Sequence, residues 1–314
     1  MGERGGKIQV LLSTYNGEKY LAEQLNSLLE QTHPNLFITI RDDGSSDNTV
    51  AIIQEYVAEF PEKIEAYYEE NIGVIASFFN LLSRHTHSDS EYVCFCDQDD
   101  VWMAEKLERA IYLLNERAGQ IPMMYVCPTQ MVTETMAPLN IWPPTPQRGV
   151  SFLNALVENI AVGATTVLNC LAVNILQQNL PNTKRIVMHD WWAYLVVSAY
   201  GQVIYDDKPY IYYRQHQNNV IGGQQGFYDK WVKKWRSYKK HRTQKILWNQ
   251  AKEFERCWGD DLPLEFQSEL EEFLLTNRGI VRRASYALNT RLYRQSRLDN
   301  FVFRFMMIKG DILK

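Results

Sequence analysis

The chain lacks a long hydrophobic run. Its 314 residues are 46% hydrophobic and 22% charged, an ordinary balance for a folded domain. No segment approaches the roughly 18 apolar residues that a membrane-spanning helix needs. Near the N terminus, polar residues 13–16 interrupt the first apolar stretch, so we expect no signal peptide. The sequence therefore predicts a protein that is soluble or peripheral to a membrane.

Cysteine is scarce, and repeats are missing. The five cysteines are odd in number and lack the spacing of metal ligands. Cys94 and Cys96 alternate in a strand-like run, so both would lie on one face of a strand as small hydrophobic groups. This usage indicates a reducing compartment. We find no internal repeat and no low-complexity segment, which excludes a solenoid.

Charge is divided unevenly along the chain, although the net charge is only -4. Residues 1–226 carry 14 Lys or Arg against 26 Asp or Glu, whereas residues 227–314 carry 19 against 11. Such an asymmetry suggests two parts with different partners. We predict an α/β domain over residues 1–225 and a basic, aromatic-rich helical extension over residues 226–314.

Strand-like and helical patterns alternate through about residue 118. Apolar runs that are typical of buried strands occupy residues 7–13, 37–41, 64–68 and 92–96. Apolar residues at helical spacing separate these runs, which predicts a mostly parallel, doubly wound sheet. Ligands bind outside the carboxyl ends of the strands in such sheets, and two acidic clusters follow strands here.

Residues 97–100, with the sequence Asp-Gln-Asp-Asp, form the sharper acidic cluster. Three carboxylates in four residues repel one another unless a cation or hydrogen bonds compensate. Carboxylate oxygens suit Mg²⁺ or Mn²⁺ that bridges a diphosphate. The alternative is a solvated loop in which Asp100 caps the next helix.

The second acidic cluster, residues 42–47, reads Asp-Asp-Gly-Ser-Ser-Asp. One carboxylate could accept a hydrogen bond from a nucleotide base, and the alternative is helix capping and turn chemistry alone. An EF-hand is excluded because position twelve from Asp42 is Ile53 rather than a bidentate Glu.

Two further segments carry polar groups that could do chemistry. In residues 189–192, Asp190 precedes two tryptophans, so it could be a base held against a sugar ring; the alternative is a helix N-cap with core tryptophans. Residues 213–219 hold many hydrogen-bonding side chains that could serve phosphate, metal or sugar hydroxyls. His216 lies among them, although a lone histidine is more often structural.

Taken in order, the motifs resemble those of the inverting GT-A glycosyltransferases of family 2. The resemblance spans residues 7–225 and rests on KIQVLLSTYNGEKYLAEQLNSLLEQT, IRDDGSSDNT, NIGVIASFFN and YVCFCDQDDVW. With HDWW and YRQHQNN downstream, the chain is similar to bacterial rhamnosyltransferases of cell-wall and O-antigen polysaccharide synthesis. The resemblance implies a GT-A fold, a mostly parallel sheet flanked by helices.

The resemblance also implies a role for each matching position. The residues implied to bind the nucleotide-sugar donor are Thr14, Tyr15, Glu18, Asp43, Asn71 and Asp97. The implied ligands of Mn²⁺ or Mg²⁺ are Asp99, Asp97 and His216, with the division of roles among residues 97, 99 and 100 left open. Asp190 is the implied catalytic base. The implied acceptor or sugar contacts are Trp191, Trp192, Arg214 and Gln215.

The implied reaction is one displacement that inverts the anomeric carbon. A dTDP-β-L-rhamnose donor would then give an α-L-rhamnoside on a polyprenyl-linked saccharide acceptor, at the inner face of the cell membrane. A haloacid-dehalogenase-like phosphatase is an alternative, because residues 97–101 mimic its nucleophile loop; here, however, three strands precede that loop. A catalytically inactive sugar-nucleotide-binding or membrane scaffold is the other alternative.

Residues 228–245 hold eight Lys or Arg and one acidic residue. Four aromatic residues recur among them at steps of three and four, which is typical of an amphipathic helix at an anionic membrane surface. Two alternatives stay open: this stripe packs on the catalytic domain, or it forms a homodimer interface. We expect no nucleic-acid partner because the catalytic half is acidic.

Overall fold

A computed structural model describes residues 6–84, 90–116, 120–216, 245–275 and 279–311. The strands are β1 (Lys7–Thr14), β2 (Leu36–Asp42), β3 (Ile64–Tyr68), β4 (Ser90–Cys96), β5 (Val101–Trp102), β6 (Met123–Val126), β7 (Thr129–Val132), β8 (Pro138–Trp142), β9 (Val167–Asn169), β10 (Gln202–Tyr205) and β11 (Ile211–Arg214). The helices are α1 (Leu21–Leu29), α2 (Thr49–Glu59), α3 (Val74–Arg84), α4 (Lys106–Glu116), α5 (Phe152–Ala155), α6 (Cys170–Gln178), α7 (His189–Tyr200), α8 (Ile246–Trp258), α9 (Leu264–Leu275), α10 (Ile280–Asn289) and α11 (Arg297–Lys309).

Internal contacts divide the chain into two compact units. The first unit comprises Met1–Thr145, Ala161–Gln178 and Gly201–Gly222. The second comprises Pro146–Ile160, Asn179–Tyr200 and Gly223–Lys314. The boundary that the sequence predicts at residues 225 and 226 lies outside the described residues and stays a prediction.

The first unit is built on a seven-stranded sheet with the order β10-β6-β9-β4-β1-β2-β3. β1 runs parallel to β2 and β4, and β2 runs parallel to β3. β9 is antiparallel to both β4 and β6. The predicted mostly parallel sheet flanked by helices is therefore confirmed.

The register of this sheet brings three strand ends together. Thr14 pairs with Asp42, and Leu12 pairs with Cys96. The carboxyl ends of β1, β2 and β4 therefore lie side by side, and the loops that follow them share one edge of the sheet.

Hydrophobic periodicity explains how this unit holds together. Leu21, Leu25 and Leu28 recur at helical spacing on α1 and are fully buried. Cys94 and Cys96 are buried in the same hydrophobic core, as predicted for small apolar groups on one face of a strand. Burial raises the pKa of Cys94 to about 11, so this thiol stays protonated near neutral pH.

A smaller sheet in the first unit has the order β5-β11-β7-β8. β11 is antiparallel to β5, which directly follows the acidic residues 97–100, and parallel to β7. This pairing carries Arg214, at the end of β11, to the acidic loop.

The second unit is helical within its described residues. Most of α7 is buried, and its Trp192 meets Phe254 of α8 edge to face, with ring centroids 6.0 Å apart. The expected C-terminal helices are present as α8 to α11. Apart from Lys245, the basic segment 228–245 lies outside the described residues. Among the helices that the structure describes, none is long and apolar enough to cross a membrane.

Candidate active site

The loops after β1 and β4 are joined by one side chain. Gln98 accepts a hydrogen bond from the backbone N–H of Tyr15 through its Oε1 (2.8 Å) and donates through Nε2 to the Tyr15 carbonyl (3.0 Å). Thr14 Oγ1 donates to Asp42 Oδ1 at 2.9 Å. The two Gln98 bonds fix residues 97–100 against the end of β1, and the Thr14 bond joins the ends of β1 and β2.

The cluster after β2 works largely as turn and helix-start chemistry. Asp42 accepts from the backbone N–H of Ser45 (2.9 Å), and Asp47 accepts from the backbone N–H of Thr49 (3.0 Å). Glu18 joins this loop, since its Oε2 accepts from the N–H of Asn48 at 2.9 Å. The capping alternative therefore accounts for Asp42 and Asp47.

Asp43 is 2% exposed, and both of its oxygens are engaged. Oδ1 accepts from Arg41 Nη1 (2.5 Å) and from the N–H of Ile72 (2.8 Å), and Oδ2 accepts from the N–H of Gly73 (2.9 Å). Asp43 thus anchors the loop that contains Asn71. Its contact with a nucleotide base stays a prediction.

Five of the predicted donor residues share the first unit and its carboxyl edge. Each belongs to or follows β1, β2 or β3, and the side chain of Tyr15 is about half exposed. A Cβ at Gly44 would lie 3.1 Å from the backbone N of Asn71, so the loops after β2 and β3 approach closely. These residues are Thr14, Tyr15, Glu18, Asp43 and Asn71.

Two of the predicted metal ligands, Asp99 and His216, lie in contact. Nε2 of His216 is 2.8 Å from Oδ2 of Asp99. Their side chains are 12% and 22% exposed, respectively, so both reach solvent. A divalent cation accepts an imidazole nitrogen and a carboxylate oxygen together, which is the chemistry of this pair.

Asp100, the next residue after Asp99, is buried. Burial and the negative charges of Asp99 and Asp97 raise its pKa well above the usual range. Its Oδ1 accepts from the N–H of Arg214 at 3.1 Å, and its Oδ2 has no hydrogen-bond partner in the described part of the chain. Excess negative charge with an unpaired buried oxygen is what a nearby cation would relieve.

The described residues contain no group of three or more His, Cys, Asp or Glu side chains that could hold a metal ion. Mg²⁺ and similar ions commonly use one or two carboxylates together with substrate phosphates rather than an all-protein cage. The pair Asp99–His216, with Asp97 in the same loop, therefore fits an ion that a diphosphate helps to bind.

Arg214 was predicted to contact the acceptor, but its buried guanidinium is occupied by the protein. Nε donates to the Asp99 carbonyl (3.1 Å), Nη1 to the Glu134 carbonyl (2.7 Å) and Nη2 to Glu23 Oε2 (2.5 Å). These bonds indicate that Arg214 orients the acidic loop, and its contact with the acceptor stays a prediction. Gln215 donates its backbone N–H to the Val132 carbonyl (2.9 Å), and its sugar contact stays a prediction.

Sequence reasoning missed Tyr20, which directly precedes α1, and Glu23 in the first turn of α1. The Tyr20 ring stacks on the His216 imidazole, with centroids 5.3 Å apart and planes 29° apart. The Arg214 guanidinium lies 4.5 Å from the centroid of the same ring. Tyr20 therefore supports both groups beside Asp99. No local signal marks it, because its partners lie almost 200 residues later.

Asp190 belongs to the second unit, in the first turn of α7. It is 5% exposed, and its Oδ1 accepts from Asn159 Nδ2 (3.2 Å) and from the N–H of Trp191 (2.5 Å). Burial lowers the pKa of the preceding His189 to about 3, so that imidazole is neutral near neutral pH. The role of Asp190 as a base stays a prediction.

The tryptophans after Asp190 are core residues. Trp192 has no exposed surface, and Trp191 is 6% exposed and donates its indole N–H to the Ala155 carbonyl at 2.6 Å. A ring without exposed surface has no face for a sugar, so Trp192 packs in the core, which is the alternative that the sequence left open. The sugar contact of Trp191 stays a prediction.

Comparison with known families identifies the class. The model of Glycosyl transferase family 2 matches residues 9–171, which is more than half of the chain. The chain therefore belongs to glycosyltransferase family 2 and is a glycosyltransferase. It is 29% identical over 228 residues to the dTDP-rhamnosyl transferase RfbG of Shigella flexneri, and the aligned region covers 69% of this chain and 75% of RfbG.

The chain is also similar to another named glycosyltransferase and to solved structures that contain a nucleotide sugar. The putative teichuronic acid biosynthesis glycosyltransferase TuaG of Bacillus subtilis is 35% identical over 112 residues, which is 35% of this chain and 43% of TuaG. Among solved structures, S. aureus TarS residues 1–349 with UDP-GlcNAc has a TM-score of 0.59 at 18% identity, covering 98% of this chain and 81% of that one. The mannosyltransferase PcManGT of Pyrobaculum calidifontis, in complex with GDP-Man and Mn2+, has a TM-score of 0.57 at 15% identity, covering 98% and 87%. These structures confirm the GT-A fold.

Proposed function

We propose that the chain transfers a sugar, with L-rhamnose from dTDP-β-L-rhamnose as the best candidate, from its nucleoside diphosphate to a saccharide acceptor with inversion. The observation that carries the proposal is the contact of Asp99 with His216 in a loop that Gln98 ties to the end of β1. Similarity to RfbG over 69% of the chain supports the choice of rhamnose.

The donor is bound at the carboxyl edge of the first unit's sheet. Thr14, Tyr15 and Glu18 line the base pocket, Asp43 contacts the base, and Asn71 contributes to donor binding. Two structural neighbours were solved with a nucleotide sugar, UDP-GlcNAc and GDP-Man, which supports a donor of this class.

Asp99 and His216, with Asp97 of the same loop, would hold a divalent cation, Mn²⁺ or Mg²⁺. When bound, this ion neutralises charge on the departing diphosphate. Arg214 and Tyr20 hold the side chains of Asp99 and His216 in the orientation that metal binding needs. A misplaced ligand would weaken the binding of both the metal ion and the diphosphate.

Asp190 is the general base. Its carboxylate takes the proton from the acceptor hydroxyl as that oxygen forms a bond to the anomeric carbon, while the bond from that carbon to the diphosphate oxygen breaks. The amide of Asn159 orients the carboxylate by donating to Oδ1. A single displacement needs no enzyme nucleophile, and the configuration at the anomeric carbon inverts.

We place this reaction at the inner face of a bacterial cell membrane, with a polyprenyl-linked saccharide as acceptor, in polysaccharide synthesis. Teichuronic acid biosynthesis, the role in the name of the TuaG relative, motivates this setting. Of the two rivals, the phosphatase leaves the nucleotide-pocket motifs without a role, and the inactive scaffold leaves Asp99 and Asp190 without one.

A donor panel tests the proposal. Purified chain is incubated with dTDP-β-L-rhamnose, UDP-GlcNAc and GDP-mannose, with Mn²⁺ or Mg²⁺ or with EDTA, and release of the nucleoside diphosphate is measured. We expect the fastest metal-dependent release from dTDP-rhamnose. Release from another donor alone would reject rhamnose, and equal release in EDTA would reject the metal.

A further inference from the structure

Helices α10 and α11 of the second unit form a pair that is held together by buried side chains and hydrogen bonds. Phe303 and Met307 are buried on the inner side of α11. Arg304 of α11 donates to the carbonyls of Ala287 (2.6 Å) and Thr290 (3.0 Å) at the end of α10. These bonds satisfy carbonyls that a helix C terminus leaves unpaired, so the pair behaves as one element. We call it the hairpin.

The outer face of the hairpin is strongly apolar. On α11, Leu298, Phe301 and Phe305 are 62%, 70% and 48% exposed, and their spacing of three and four places them on one side of the helix. On α10, Val281 and Leu288 are 81% and 74% exposed, seven residues apart. Isolated apolar residues are common on surfaces, but several large exposed apolar residues along one side of a helix favour an interaction surface.

The same element is basic. Residues 279–311 contain seven Lys or Arg and two Asp, and two of these cations, Arg282 and Arg291, form ion pairs with Glu272 and Glu269 of α9. Arg297 at the start of α11 and Lys309 at its end are both exposed, and the Lys309 ammonium lies 4.6 Å from the centroid of the Phe305 ring. An exposed apolar stripe with cations at its borders is the pattern of a helix that lies in the interface of an anionic bilayer.

We propose that the outer face of the hairpin docks on an anionic phospholipid surface. Phe301 and Phe305 enter the boundary between headgroups and acyl chains, and Arg297 and Lys309 bind lipid phosphates. The 13 residues of α11 span only about 20 Å as a helix, so α11 lies in the plane of the membrane.

Charge argues against a second copy of the chain as the occupant. Two hairpins pressed face to face would bring two surfaces of the same positive sign together, which costs free energy. An anionic lipid surface neutralises that charge and also receives the apolar side chains. The proposal extends the membrane location proposed above to a surface separate from residues 228–245, and it does not depend on which sugar is transferred.

Co-sedimentation of the full chain with lipid vesicles tests the docking surface. Vesicles of phosphatidylcholine alone are compared with vesicles that also contain phosphatidylglycerol. We expect binding to the anionic vesicles and a loss of at least about tenfold in the triple variant Leu298→Ser, Phe301→Ser, Phe305→Ser, since three large apolar groups no longer enter the bilayer. Leu264→Ser, which changes another exposed apolar residue of the second unit, should bind as the wild type does.

Further measurements separate the outcomes. Metal-dependent release of nucleoside diphosphate without vesicles should be equal in the wild type and the triple variant, which shows that the variant is folded and separates this proposal from the proposed reaction. The charge variant Arg297→Glu, Lys309→Glu should lose the preference for anionic vesicles. Unchanged vesicle binding by the triple variant overturns the proposal. The proposal is also overturned if light scattering shows that the wild type is a dimer, that this dimer does not bind vesicles, and that the triple variant is a monomer.

Discussion

Nε2 of His216 lies 2.8 Å from Oδ2 of Asp99, although the two residues are 117 positions apart in the chain. β11 ends two residues before His216 and pairs antiparallel with β5, which begins two residues after Asp99. The pairing of two short strands therefore creates the contact. Neither segment contains both halves of the site.

Replacement of Asp99 should remove metal-dependent transfer. In Asp99→Asn, the charge that holds the cation is lost, and we expect kcat/KM to fall by about 10²–10³. Rates measured across a Mn²⁺ titration check this, and the required Mn²⁺ concentration should rise. Asp207→Asn, a change at an exposed aspartate of the same unit, serves as the control. Wild-type rates in Asp99→Asn would show that the ion is held elsewhere.

Arg214 should act through the position of the acidic loop. Arg214→Lys keeps the positive charge but loses the fork that reaches Glu23, Glu134 and the Asp99 carbonyl. We expect Mn²⁺ affinity to fall by about 10- to 100-fold, as for other residues that orient metal ligands, with a larger effect on kcat than on the KM of the acceptor. If only the KM of the acceptor changes, Arg214 contacts the sugar after all.

Tyr20 offers an independent test of the same support. Tyr20→Leu removes the ring that stacks on His216 and faces the Arg214 guanidinium, whereas Tyr20→Phe keeps it. We therefore expect Mn²⁺ affinity to fall in the leucine variant and to recover in the phenylalanine variant. Equal Mn²⁺ affinities in both variants would assign Tyr20 no role beyond filling space.

Loss of the Asp190 carboxylate should stop transfer without preventing donor binding. Removal of a general base typically costs about 10²–10⁴ in rate, so we expect that fall in kcat for Asp190→Asn. Calorimetric titration with the nucleoside diphosphate should give an unchanged affinity. Asn159→Ala, which removes a donor to the carboxylate, should have a smaller effect on kcat. Full transfer by Asp190→Asn would reject it as the base.

Buried His189 should make stability depend on pH. Its pKa is lowered to about 3 in the folded protein by burial, while the unfolded chain has an ordinary value near 6.5. Below about pH 6.5 the unfolded state binds more protons than the folded state. As the pH is lowered from there to about pH 3, the free energy of unfolding therefore decreases, by at most about 1.4 kcal/mol per pH unit. Above that window this contribution is constant.

Urea unfolding at about pH 7 and about pH 5 measures the effect. His189→Gln lacks the titrating group, so its free energy of unfolding should fall less than that of the wild type between the two conditions. Burial also lowers the pKa of His33 in the first unit, so His33→Gln should reduce the pH dependence as well, and the double variant should reduce it further. Identical slopes in the wild type and His189→Gln would contradict the buried, neutral imidazole.

Several features of the fold follow from local patterns in the sequence. The strands over residues 7–13, 37–41, 64–68 and 92–96 were predicted because apolar, β-branched runs alternate with helical stripes, and each strand is present. Their parallel order follows from the helices that join them. The acidic loops could be placed at the carboxyl edge for the same reason.

The roles of single side chains were harder to predict. Trp192 looks the same in the sequence whether it binds a sugar or fills the core, and only its complete burial distinguishes the two. Arg214 could serve a substrate or the protein, and the distinction depends on Glu23, 191 residues away. Tyr20 carries no motif at all.

The sequence by itself determined the strand and helix order, the edge at which the acidic loops lie and the family to which the chain belongs, because these depend on periodicity and on motifs within short segments. The tertiary structure decided which side chains meet: Asp99 with His216, Arg214 with Glu23, and the exposed stripe of α11 with solvent. Such contacts depend on strand pairing and burial across distant parts of the chain, and local periodicity carries no information about them.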